Sequence, residues 1–125
     1  MIPYITYRFI HFVGIFLVLV SLGGVALHAA NQGTKQSSRT RKLTAITHGI
    51  GMFVVLLGGF GLLARLGIAH GTDWPGWVWT KLGIWVVLGV VVILPYRRPE
   101  LARPLFLTVP LLAVLAAYMA IFKPF

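Results

Sequence analysis

The chain contains no cysteine. That excludes disulfide staples, cysteine-ligated iron-sulfur clusters and covalent attachment of a c-type haem. Carboxylates are almost as scarce: Asp73 and Glu100 are the only two. Both lie between the apolar runs, so neither can relay protons or coordinate a cation inside a membrane, and an ion-coupled transporter built on such a group is disfavoured. Charged residues make up 10% of the chain, against roughly 25% in globular domains. No Ser-His-Asp arrangement, glycine-rich phosphate loop or metal-ligand motif occurs, and His48-Gly-Ile-Gly is not one.

What is present is apolar. Hydrophobic residues form 58% of the chain and the mean hydropathy is +0.90. Four runs approach the roughly 20 residues needed to cross a bilayer: about 4–29, 43–66, 76–94 and 105–122. They predict an all-α membrane protein, a single four-helix transmembrane domain over residues 1–125, with no room for a separate soluble catalytic domain. Arg8, the apolar run behind it and Ala26-Leu-His-Ala-Ala30 imitate a signal peptide. The run is long for a signal h-region, so it is read as the first span.

The formal charge of +9 does not point to nucleic acid, because the basic residues are divided among loops and helix ends and form no single soluble face. Lys35, Arg39, Arg41 and Lys42 fall in the first loop and Arg97, Arg98 and Arg103 in the third, whereas Ile68-Ala-His-Gly-Thr-Asp-Trp-Pro75 has no Lys or Arg. In a bacterial inner membrane this asymmetry puts loops one and three in the cytoplasm and both termini on the outer, periplasmic side. The basic loops are also suited to holding anionic lipid.

The stretch His48 to Arg65 carries five glycines. Each interior glycine costs roughly 0.5 to 1 kcal/mol relative to alanine in water, a loss repaid in a bilayer by close helix approach. The second helix is therefore expected at the centre of the bundle. Helix one carries Gly14, Ser21 and His28 at heptad spacing, a small-residue seam with His11 at its shoulder. Setting His11 over His48 aligns the two helices, so that Gly51, Gly58 and Arg65 take the positions of Gly14, Ser21 and His28. The match is either ancestry or chance, but in an antiparallel pair it brings His28 towards the depth of His48 and Arg65 towards that of His11. Ser38 or Thr40 is placed to cap helix two, and Asp73 helix three with Pro75 in its first turn. Trp74, Trp77 and Trp79 form an outer aromatic belt. Pro110 bends helix four and frees a carbonyl that Thr108 or a neighbour could satisfy.

Ionisable groups within apolar spans are functional candidates by default. His28 and His48, at similar depth on neighbouring helices, could each supply one axial nitrogen to a b-type haem, with arginine or lysine meeting the propionates. Against this stands an interfacial His28 and a His48 that simply hydrogen-bonds a neighbour. The outer cluster is His11 with Arg65, Lys81 and Arg8. Neutral His11 beside cationic Lys81 could bind an anionic head group, a quinone oxygen or a porphyrin carboxylate, whereas Arg8, Arg65 and Lys81 can instead snorkel to the phosphate layer. His70 and Asp73 offer only two metal ligands and are read as solvated.

His11 in an aromatic-rich first helix, His48 opening the second and Trp77-Val-Trp-Thr-Lys81-Leu opening the third resemble the small four-helix membrane proteins that include the haem-binding protoporphyrinogen oxidase family and the SirB-like and copper-resistance-D-like families. In the oxidase family a first-helix histidine and a third-helix lysine are essential, and the resemblance puts His11 and Lys81 in those positions and implies haem or porphyrin chemistry. The Trp and Tyr-Leu-Pro-Arg elements of that family's first helix are missing, and Ser21-Leu-Gly-Gly stands there. Three functions follow in order. The first is an accessory subunit of a larger, energy-transducing membrane complex, packing on partner helices and lipids. The second is a haem b or quinone electron-transfer protein using His11, His28 and His48, with Arg65 and Lys81 as anion or propionate contacts. The third is a protoporphyrinogen-oxidase-like enzyme using His11 and Lys81.

Overall fold

The computed structural model describes residues 2–68 and 74–125. The first two apolar runs become α1 (Tyr4–Ala30) and α2 (Arg41–Arg65). The third becomes α3 (Gly76–Val90), which passes through a 3-10 turn at Val91–Ile93 into the short α4 (Leu94–Arg97). A second 3-10 turn at Pro99–Leu101 leads into α5 (Ala102–Phe122). Four segments, Tyr4–Ala30, Arg41–Arg65, Gly76–Arg97 and Pro99–Phe122, are long and apolar enough to cross a membrane. The described residues contain no strand.

Prolines account for the differences in boundary. Pro95 falls in the first turn of α4, where its missing N–H breaks no bond, so the third span continues to Arg97 instead of ending at Leu94. Pro104 fits the first turn of α5 in the same way, and that helix starts three residues before the expected 105. Pro110 lies inside α5 and removes the donor for the Phe106 carbonyl. Thr108 does not fill that role, because its hydroxyl donates to the Pro104 carbonyl. Thr40 is the N-cap of α2 but makes no side-chain capping bond, and Asp73 lies outside the described residues.

The tightest packing is between α1 and α2, and glycine makes it possible. A Cβ on Gly14 would lie 2.5 Å from the Val55 nitrogen, one on Gly51 2.9 Å from the Val18 nitrogen, and one on Gly58 2.7 Å from the His11 Cα. Backbone therefore meets backbone along the seam. Gly14, Ser21, Gly51 and Gly58 are buried as the heptad pattern predicts, whereas Arg65 is exposed. Gly49 is different: a Cβ there would meet nothing within 4 Å.

The centre of the bundle is α1, not α2. α1 packs on α2, on α5 and on the C-terminal end of the third span, whereas α2 meets α3 mainly through long side chains. One core cluster joins Val18 and Leu22 to Val91 and Val109. A second joins Leu63, Trp77, Val78 and Met119 near the opposite end. Trp77 thus belongs to the core, while Trp74 and Trp79 remain paired at 5.0 Å between ring centroids. Phe9, Phe16, Phe53 and Leu107 all point outward, the arrangement expected where the solvent is lipid.

Candidate functional site

Facing residues fix the register of the α1/α2 pair. Tyr7 lies on Gly61, His11 on Gly58, Val18 on Gly51 and Gly24 by Thr44, so facing residue numbers add up to about 68 or 69 throughout. His48 is then level with Val20 or Ser21, and His28 with Thr40 or Arg41. The two imidazoles are offset by about seven residues, roughly 10 Å at 1.5 Å per residue, instead of sharing one depth. Arg65 is offset from His11 by a similar distance. Neither of the two cross-helix pairings expected from the internal match forms at one level.

Each described histidine has a backbone carbonyl as partner. His28 Nε2–H donates to the Thr34 carbonyl at 2.8 Å, with the ring lying under Gly33. This ties down the first loop. The loop leaves α1 through Gln32 at φ 65, and Gly33 N–H reaches back to the His28 carbonyl at 2.8 Å. His48 is buried and its Nε2–H donates to the Leu88 carbonyl at 3.0 Å. In return, Trp85 Nε1–H on α3 donates to the Met52 carbonyl on α2 at 3.0 Å. The two bonds run in opposite directions between α2 and α3 and clamp a pair of helices whose backbones stay apart.

His11 is held otherwise. Its Nδ1–H donates across the seam to the Val55 carbonyl at 2.8 Å. That bond fixes the ring and the tautomer and leaves Nε2 as the acceptor nitrogen, the way ligating histidines are commonly oriented. The α2/α3 bonds set Lys81 at the level of Val55, the residue whose carbonyl holds His11. Both side chains are half-buried. A second cation stands at the same end. Lys123, at the C-terminal end of α5, stands 5.2 Å from the ring centroid of Trp77, one turn before Lys81, and donates to the Ala120 carbonyl at 2.7 Å. Arg8 turns away to lie over Phe12 at 5.8 Å and is exposed.

The structure therefore puts Lys81 at the level of the Val55 carbonyl that holds His11, with Lys123 over Trp77 one turn before Lys81, two cations and one imidazole acceptor at the same end of the bundle. Lys123 was not a sequence candidate. Its signal was its position at the end of the last run, on the same side of the bundle as Lys81. Trp85 was also passed over, because an indole inside an apolar run reads as packing. His70 and Asp73 lie outside the described residues. Among the described residues, no group of three His, Cys, Asp or Glu side chains is close enough to hold a metal ion. Comparison with family models, with curated proteins and with solved structures found no match to this chain.

Proposed function

We propose that this chain is a small integral-membrane accessory subunit of a larger, energy-transducing complex, with its basic loops on the cytoplasmic face and its termini outside. The observation that carries this reading is that two glycines are spent on no contact within the chain. Gly49 on α2 and Gly83 on α3 each have no atom within 4 Å of a would-be Cβ. An exposed helical glycine loses stability unless something approaches its backbone, and in a bilayer that something is another helix. Ala45, also exposed and one turn before Gly49, extends the small surface on α2. The test is purification of the tagged chain from its native membrane in a mild detergent. Stoichiometric transmembrane partners are expected, lost when Gly49 and Gly83 are both changed to Ile while the helical content and thermal unfolding of the chain stay unchanged. Recovery of a lone chain from both proteins would overturn the reading.

A second reading is supported by the orientation of His11. Its Nε2, with Lys81 set at the level of its Val55 partner, suits a ligand with one group to be met by an imidazole and an anionic or carbonyl oxygen to be met by an ammonium group, as in haem b or a quinone. His11 and Lys81 are also the residues that the resemblance to the protoporphyrinogen oxidase family marks. Titration of the purified protein with haemin should then give a reducible Soret and alpha band near one haem per chain, abolished by His11→Ala and retained in His48→Ala. Absence of the band, or its loss only in His48→Ala, would sink this assignment.

A further inference from the structure

Two separate hollows lie along the line where α1 meets α5, with the buried Ala26 and Ala102 between them. The first, about 520 Å³, opens at the basic end of the bundle, where Ala29, Ala30, Gln32 and Thr34 face Arg103. The second, about 230 Å³, lies deeper and has only apolar residues around it, Leu19, Leu22 and Gly23 on one side and Leu105, Phe106 and Pro110 on the other. Gly23 helps keep it open, since even a Cβ there would reach only the Phe106 ring edge at 3.9 Å. From Ala30 to Leu19 the two hollows together span eleven residues of α1, roughly 16 Å of rise. That is about the depth of one leaflet of a hydrocarbon core ~30 Å thick.

Charge at the mouth selects the head group. Arg103 is exposed and forms no ion pair among the described residues, where the one ion pair is between Arg98 and Glu100 at 2.5 Å. Glu100, the carboxylate at the mouth, therefore has its charge offset by Arg98. Lys35, Arg39, Arg41, Lys42 and Arg97 are all exposed on the same end, adding a positive field that draws anionic lipid to the groove.

We propose that the α1/α5 groove binds one anionic diacyl phospholipid, its phosphate at Arg103 with the Gln32 amide and Thr34 beside it, and one acyl chain laid past Gly23 and Phe106. The proposal is independent of the subunit reading, since the groove lies on α1 and α5 and not on the surfaces carrying Gly49 and Gly83.

Native mass spectrometry of the full chain in a non-ionic detergent, with phosphatidylglycerol or phosphatidylcholine added, tests it. One phosphatidylglycerol should be retained at concentrations where phosphatidylcholine is not. Arg103→Gln should lower that retention about fivefold, the effect of one basic side chain at a membrane surface. Arg39→Gln, on the same end but outside the hollow, should leave it unchanged. Gly23→Phe should weaken retention by filling the acyl groove. Equal retention of the two lipids, or equal losses in Arg103→Gln and Arg39→Gln, would overturn the site, the second by showing diffuse attraction. Both arginines are exposed, so these variants fold whatever becomes of Gly23→Phe.

Discussion

One methyl group added at Gly14 or Gly58 is expected to be the most damaging small change in this chain. The Gly14 Cβ would stand 2.5 Å from the Val55 nitrogen, and the Gly58 Cβ 2.7 Å from the His11 nitrogen. Neither neighbour is a flexible side-chain tip, so α1 and α2 must separate as bodies, opening the seam along its length. Overpacking costs roughly 1 to 3 kcal/mol, and a backbone clash belongs at the upper end. Gly49→Ala makes the same chemical change into open space. It should be neutral or, through helix propensity, stabilising by up to about 1 kcal/mol. Thermal unfolding in detergent micelles distinguishes the three variants. Equal melting of Gly14→Ala and Gly49→Ala would refute the assignment of the seam.

The second large effect is expected between α2 and α3, where His48 and Trp85 hold the two helices through opposed bonds to Leu88 and Met52. Interhelical hydrogen bonds in membranes are worth roughly 0.6 to 1.7 kcal/mol each. His48→Leu or Trp85→Phe alone should therefore lower stability modestly. The double variant should lose more than the sum, because either bond keeps the other's partner in place. The absence of cysteine makes a direct measurement simple, since spin labels on cysteines introduced at the exposed Phe53 and Val86 report only the α2 to α3 distance. A narrow distance distribution in the double variant, matching that of the parent, would show that the clamp holds nothing.

The spans were legible in the sequence because length and hydropathy decide them almost alone. The boundaries at 94 and 105 shift because apolar runs break at Pro95 and Pro104, whereas both prolines lie in first turns, which tolerate a missing N–H. The glycine seam was legible too, from heptad spacing. The facing of one helix on the other was not. Equal sequence on two antiparallel helices says nothing about their axial offset, and seven residues of offset separate His28 from His48. Nor could the sequence say which nitrogen of a histidine is spent. His11 uses Nδ1 and keeps Nε2, His48 does the reverse, and only the location of the nearest carbonyl distinguishes them.

The aligned sequences of α1 and α2 make their interface close to a twofold, with one bond that fails to repeat. Under that symmetry His11 corresponds to His48, Gly58 to Ser21, and the Val55 carbonyl that receives His11 to the Val18 carbonyl. Val18 does accept a bond, at 2.8 Å, but from Ser21 Oγ. A hydroxyl stands where the symmetric copy has only hydrogen, and it occupies the acceptor that would otherwise receive His48. With that acceptor taken, His48 bonds to the third span instead. Ser21 thus breaks the symmetry of the pair, and the donor it displaces becomes one of the two bonds that join α2 to the third span.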